Sequence, residues 1–248
     1  VVGEIGNNTL AGRRMLVVGA SSGIGRELVL AAGRAGARIA LAARRYDRLQ
    51  ELEADAGDDA VALQCDVRKP IACELAVKAA VQHLGGLDIV VFATGINRLG
   101  WLAETTADAW RDLVDTNLIG AALVTQAALP HLRDGHGRIG YLSSHSVARP
   151  WPGLGAYAAT KAALDTMVAG WRIEEPDVAF TRFVVGPTMT GMADAWDPST
   201  AEAMFRMWAD AGYMVHEPVT AAWVADRIVS WAAADEPVSD VLLVEEAP

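Results

Sequence analysis

Short apolar runs alternate with longer amphipathic segments from one end of this chain to the other, and that alternation restricts its fold more than any other feature. Arg14 to Val18, Arg38 to Ala42, Ala60 to Gln64, Asp88 to Ala93, Arg138 to Leu142, Val178 to Val185 and Asp240 to Val244 are rich in Val, Leu and Ile and read as strands. Gly25 to Ala35, Asp47 to Ala56, Ile71 to Leu84, Thr106 to Arg133, Ala156 to Trp171 and Val219 to Ala232 carry helical periodicity. Strands apolar throughout, rather than on alternate residues, must be covered on both faces, which makes the sheet parallel and puts helices on each side.

The expected fold is therefore α/β, a doubly wound parallel sheet of the Rossmann type in three αβα layers. At 248 residues, 52% of them hydrophobic, one core suffices, and no Gly/Ser-rich or Pro-rich linker divides the chain. We expect a single domain over 1–248. The formal net charge of -10 is spread along the sequence, which argues against general binding to nucleic acid or to an anionic membrane. Two cysteines, Cys65 and Cys73, have no Cys-x-x-Cys spacing and no nearby His, so neither a metal site nor a disulfide framework is expected. The start of the chain lacks a basic stretch followed by an apolar one, and no uncharged run approaches bilayer length. The expectation is a soluble, cytoplasmic protein.

The first strand runs into Gly19-Ala-Ser-Ser-Gly-Ile-Gly25 and then a helix. Glycines let a backbone turn tightly, approach a pyrophosphate and start a helix whose N-terminus faces the anion. Gly19, Ser21, Ser22, Gly23, Ile24 and Gly25 are thus candidate cofactor-binding residues. The same stretch also matches Gly-x-Ser-x-Gly, the nucleophile turn of serine hydrolases, with Ser21 as nucleophile. A first-strand position and the lack of a His in a recognisable triad context count against that reading.

Tyr157 and Lys161 are four residues apart on a helical segment and so share one face. A fixed ammonium beside a phenol favours phenolate, bringing a group that titrates near ~10 toward a useful range for acid-base chemistry. Ser144 lies thirteen residues before the Tyr at the end of an apolar run, and Asn117 lies forty before it. With these separations and the Gly-x-x-x-Gly-x-Gly loop, the chain resembles the short-chain dehydrogenase/reductase family from about Leu10 to Val244.

The resemblance implies a catalytic tetrad of Asn117, Ser144, Tyr157 and Lys161. Tyr157 would be general acid or base, Lys161 would lower its pKa and hold ribose hydroxyls, and Ser144 would donate to the substrate oxygen. Asn117 would hold a water leading from Lys161 to solvent. Plainer readings stay open: Ser144 as a strand-end hydroxyl with Ser143 the relevant one, and Asn117 as a helix-interior residue bonded to a carbonyl.

At the end of the second strand an acid would bind the 2′-hydroxyl of NAD, but here stand Arg44 and Arg45. Guanidiniums suit a phosphate monoester, so NADP(H) is the expected cofactor, with Arg44 as main contact and both arginines as solvated surface residues the alternative. By resemblance Asp66 and Val67 would meet the adenine, Asp66 being otherwise a strand-end cap. Ala93 and Gly95 would border the ribose, although Phe92-Ala-Thr-Gly95 departs from the family's Asn-Asn-Ala-Gly. Gly186, Thr188 and Thr190 would border the nicotinamide, although Val185-Gly-Pro-Thr-Met-Thr190 moves the family's proline by two places.

A substrate-covering insertion is expected over about 190–216, where Met and Trp are concentrated. Trp151, Met189, Met192, Trp196 and Trp208 border the pocket in that reading, or are packing core. The expected activity is interconversion of a bulky apolar ketone or aldehyde with its alcohol using NADP(H). A non-catalytic NADP-binding sensor or scaffold is the alternative. The resemblance further implies a homotetramer or dimer formed through the two long central helices.

Overall fold

The computed structural model describes residues 9–214 and 217–244, so the ends of the expected 1–248 domain and the last two residues of the 190–216 insertion lie outside it. In chain order the strands are β1 (Arg14–Val18), β2 (Arg38–Ala43), β3 (Val61–Gln64), β4 (Ile89–Phe92), β5 (Arg138–Ser144), β6 (Ala179–Val185), β7 (Thr188–Met189), β8 (Val219–Thr220) and β9 (Asp240–Leu243). Seven of them form one sheet in the order β3-β2-β1-β4-β5-β6-β9, every pair parallel, while β7 and β8 make a separate short pair. All seven apolar runs are in that sheet. The fold is α/β and Rossmann-like.

The helices are α1 (Gly23–Arg34), α2 (Tyr46–Ala56), α3 (Pro70–Leu84), α4 (Ala107–Val114), α5 (Gly120–Leu132), α6 (Gly155–Glu174), α7 (Pro198–Asp210) and α8 (Ala221–Ala233). Residues of α1, α2 and α8 share one buried cluster, and residues of α3, α5 and α6 share the other. Along β1, Met15 and Val17 enter the first cluster and Leu16 and Val18 the second, which is why the run reads as apolar throughout. Buried Arg138 donates to the carbonyls of Trp231 at 3.0 Å and Ala234 at 2.8 Å, satisfying the C-terminal end of α8 and fixing the start of β5. Six residues later, β5 ends at Ser144.

Chain order reverses at β1, whose neighbours are β2 and β4, so a crevice opens beyond the C-terminal ends of β1 and β4.

Two of the departures from the sequence reading have a local cause in the structure. The single helix expected over Thr106 to Arg133 is α4 and α5 separated by a π-helical turn at Asp115–Ile119. Asn117 sits inside that turn with both ends of its amide bonded to Ile96, holding the wider turn in place. Val219 and Thr220, read as the start of the last helix, are strand and N-cap instead. The Thr220 hydroxyl accepts from Trp223 N at 3.1 Å, a role that hydrophobic periodicity does not register.

Candidate active site

The glycine loop is shaped by close backbone contacts. A Cβ on Gly19 would lie 2.6 Å from Thr94 N, and one on Gly25 would lie 2.3 Å from the Gly19 carbonyl oxygen. Gly19 and Gly23 also have φ of +98° and +56°, in the left-handed region where side chains are costly. The loop therefore packs against the end of β4 and turns directly into α1. The N-cap of α1, Ser22, makes no side-chain cap bond, and the first turn carries no acid, so its N–H groups face the crevice ready for an anion.

Arg45 reaches this loop. Its Nη2 donates to Ser21 Oγ at 2.9 Å and to Ser22 Oγ at 2.7 Å. Burial first, then the like charges of Arg48 and Arg44, lower its pKa, with Asp47 only partly offsetting them. A cationic hydrogen-bond donor on Ser21 is the opposite of the base that a serine nucleophile needs, which removes the physical ground for the hydrolase reading. Arg44 acts further along, where its charge helps to hold Asp66 below the usual carboxylate range; the chief cause of that shift is Arg68, bonded to Asp66 at 2.8 Å and 3.0 Å. Asp66 is thus already bound by an arginine beside it. Val67 is buried against Gly120, where an added Cβ would lie 2.7 Å from its Cγ2.

A cleft lies at the crevice. Of the residues singled out from sequence, Ile24, Ala93, Gly95, Ser143, Ser144, Tyr157, Lys161, Gly186, Thr188, Thr190 and Met192 line it, joined by Thr94, Leu142 and Val185. Thr94 was not anticipated. It occupies the third position of the departed Phe92-Ala-Thr-Gly95 motif, and its backbone lies against Gly19.

Lys161 is buried, and its Nζ donates to the Leu142 carbonyl at 2.7 Å. Burial pushes the ammonium down to about 8, against the pull of Asp165. Half-buried Tyr157 is pushed up to about 12 by burial, with the Ser144 hydroxyl working the other way. The expected lowering of the phenol by Lys161 is thus not what the protein alone provides: Nζ lies 5.8 Å from the ring centroid and is committed to a backbone carbonyl. Near neutral pH this pair is a protonated phenol beside a cationic lysine, the state that a general acid requires.

Asn117 is fully buried and does not line the cleft. Its Oδ1 accepts from Ile96 N and its Nδ2 donates to Ile96 O, both at 2.9 Å, and Nδ2 also donates to Thr160 Oγ1 at 3.0 Å. It ties the segment after β4 to the helix that carries Tyr157 and Lys161. Its Oδ1 would lie 3.7 Å, and Lys161 Nζ 3.4 Å, from a Cβ on Gly95, so the two side chains meet behind that glycine. Ser144 caps the 3₁₀ turn His145–Val147, its Oγ accepting from Ser146 N at 3.2 Å, so the plain strand-end reading holds while the hydroxyl also borders the cleft.

The Met and Trp residues of the expected insertion divide. Met192 borders the cleft, whereas Trp208 is buried, donates from Nε1 to Pro152 O at 2.8 Å, and packs against Trp151, Trp196 and Phe205 with ring centroids 5.1 to 6.1 Å away. Trp196 Nε1 donates to Asn97 Oδ1 at 2.9 Å, tying this region to the segment after β4.

Sequence comparison agrees with this geometry. A family model described as short chain dehydrogenase matches residues 13–201. A protein named 11-beta-hydroxysteroid dehydrogenase A from Sesamum indicum is 35% identical over 192 residues, covering 75% of this chain and 55% of that protein. The chain thus spans about half the length of that relative. Among solved structures, an alcohol dehydrogenase from Thermococcus sibiricus complexed with 5-hydroxy-NADP superposes with a TM-score of 0.83 at 24% identity, covering 95% of this chain and 98% of that one. A short-chain dehydrogenase/reductase from Burkholderia phymatum in complex with NAD gives 0.83 at 20% identity, covering 94% and 89%. These two likenesses establish the fold. This chain belongs to the short-chain dehydrogenase/reductase family.

Proposed function

We propose that the protein is an NADP(H)-dependent oxidoreductase that interconverts a ketone or aldehyde with its alcohol. The observation that carries this reading is the convergence of Ser144, Tyr157, Lys161 and the end of the glycine loop on one cleft. When bound, the nucleotide would supply or accept the hydride. The chain's own residues do the rest. Tyr157, protonated at neutral pH, gives its proton to the carbonyl oxygen in reduction and takes it back in oxidation, and Ser144 holds that oxygen beside the phenol. Lys161 supplies positive charge close to the phenol as its proton leaves. Asn117 acts from behind, through the Ile96 and Thr160 bonds that fix the walls of the cleft.

The backbone clashes built into Gly19 and Gly25, together with the uncapped start of α1, fit a pyrophosphate. Ile24, Ala93, Gly95, Gly186, Thr188 and Thr190 would line the ribose and nicotinamide, with Asp66 and Val67 toward the adenine. One structural neighbour holds an NADP derivative and another NAD, so the choice rests on Arg45. Crowded by Arg44 and Arg48 and already bonded to the loop serines, its guanidinium is relieved by a phosphate dianion and gains much less from a neutral hydroxyl. Arg45 takes the place first given to Arg44 as the main contact, and Arg44 is the second.

Calorimetric titration with NADPH and NADH tests this. Tight NADPH binding should weaken roughly tenfold or more in Arg45→Ala, about the 1.5 to 3 kcal/mol of a hydrogen bond to a charged group, and less in Arg44→Ala. Equal affinity for the two nucleotides in the wild type would overturn the NADP assignment. Tyr157→Phe should bind NADPH normally yet lose turnover by ~10²- to 10⁴-fold; full activity in that variant would sink the catalytic reading, and absence of turnover in the wild type would favour a nucleotide-binding scaffold. Met192 on the cleft wall, with Met189, Phe205 and Met207 exposed in the same stretch of chain, favours a bulky apolar carbonyl compound. No helix among the described residues is long and apolar enough to cross a membrane. Assembly into dimers or tetramers through α5 and α6 is part of the proposal, and light scattering reads it directly.

A further inference from the structure

Ser146, two residues past Ser144, is the neighbour that decides where the Ser144 proton points. Its side chain is buried, and its Oγ lies 2.8 Å from Ser144 Oγ, with Ser144 also accepting from Ser146 N at 3.2 Å. A serine hydroxyl has one proton and two lone-pair directions. The Ser146 N–H takes one lone pair of Ser144, so the second bond between the residues has two possible senses. If Ser144 donates, its only proton is spent inside the protein and it meets a substrate oxygen with no donor. If Ser146 donates, both lone pairs of Ser144 are occupied within the turn and its proton is left to face the cleft. Accepting two hydrogen bonds also polarises the Ser144 O–H and strengthens it as a donor.

We propose that Ser146 is a positioning residue, whose hydroxyl donates to Ser144 and holds the Ser144 proton toward the reacting oxygen. This rests on the reading of the cleft given above. Ser146 itself does not line the cleft, so it acts through Ser144 alone. The 3₁₀ turn His145–Val147 supplies the geometry, because it curls the chain just enough to bring the second hydroxyl back over the first.

The experiment is a kinetic cycle on the full chain with NADPH and an apolar ketone, using Ser144→Ala, Ser146→Ala, Ser146→Thr and the double alanine variant. Loss of a donor to a developing oxyanion costs ~10²- to 10³-fold in kcat, the effect expected for Ser144→Ala. Ser146→Ala leaves that donor in place but free to rotate, so kcat should fall roughly tenfold, a fraction of that full loss, with ketone KM, NADPH affinity and Tm near wild type. Ser146→Thr keeps the hydroxyl and should recover most of kcat. The double variant should be no slower than Ser144→Ala, because residues acting as a unit are not additive. Wild-type kcat in Ser146→Ala, a double variant slower than Ser144→Ala by the full Ser146 effect, or no recovery with Thr would each overturn the inference and leave the cleft's assignment standing. A wild-type protein that turns over no carbonyl compound overturns both.

Discussion

The glycine loop at the end of β1 borders the crevice, the region around α7 reaches it only through Met192 ahead of that helix, and the two are held by different means. In the loop the constraint is backbone against backbone: added Cβ atoms would lie 2.3 Å from Gly19 O and 2.6 Å from Thr94 N. Around α7 the constraint is side chain against side chain. Trp151, Trp196, Phe205 and Trp208 pack edge to face or tilted, and two indole N–H groups reach Pro152 O and Asn97 Oδ1. A backbone constraint admits almost one residue type per position, whereas a packed aromatic cluster tolerates many solutions of similar volume. That difference suits a scaffold whose glycine-loop side is fixed and whose α7 side is free to vary.

The largest expected effect breaks the loop. Gly25→Ala puts a methyl into the Gly19 carbonyl, where no rotamer can relieve it, so overpacking should cost ~3 kcal/mol and nucleotide binding should disappear. Urea unfolding and calorimetry check it. Normal NADPH affinity in this variant would mean that the loop has slack and that the contrast with α7 is not one of rigidity.

Next in its effect on function is Trp208→Ala, which leaves the nucleotide loop intact although emptying a buried indole site should destabilise by ~3 to 5 kcal/mol. The comparison gains from where that loss falls. If the aromatic cluster serves the substrate side, ketone KM should rise tenfold or more while NADPH affinity stays within a factor of about three, since Trp208 is not part of the cleft wall. Equal loss of nucleotide and ketone binding would show that the two regions form one cooperative unit.

The same contrast explains what could be read from sequence. All seven strands of the main sheet were legible because burial on both faces leaves a continuous apolar run, and Gly19, Gly23 and Gly25 because their spacing follows from backbone geometry. The π-helical turn at Asp115–Ile119 was not legible, since α4 and α5 keep helical periodicity on either side and the cause is a bond from Asn117 to Ile96, 21 residues away. The prominence of Arg45 over Arg44 at the loop was equally hidden: adjacent residues at a strand end point in different directions, and only the fold says which meets Ser21 and Ser22. The opposing shifts of Tyr157 and Lys161 depend on burial, and four-residue spacing carries no information about it. Of the Met and Trp cluster, composition gave the presence but not the division between Met192 at the cleft and Trp208 in the packing.

The smallest effect tests the one hydrogen bond that joins the α7 region to the rigid side. Trp196→Phe keeps an aromatic ring for Phe205 and Trp208 but removes the Nε1 donor to Asn97 Oδ1, a half-buried bond worth ~1 kcal/mol. Asn97→Ala removes the same bond from the other end. If this contact is what ties the substrate-facing region down, each single variant should raise ketone KM by about threefold to fivefold, in line with that bond energy. The double variant should be no worse than either, because the two changes delete one interaction. NADPH affinity should not move in any of them. Additive effects would mean that Trp196 and Asn97 contribute separately, and that the side-chain cluster itself, rather than its attachment to the segment after β4, sets the position of α7.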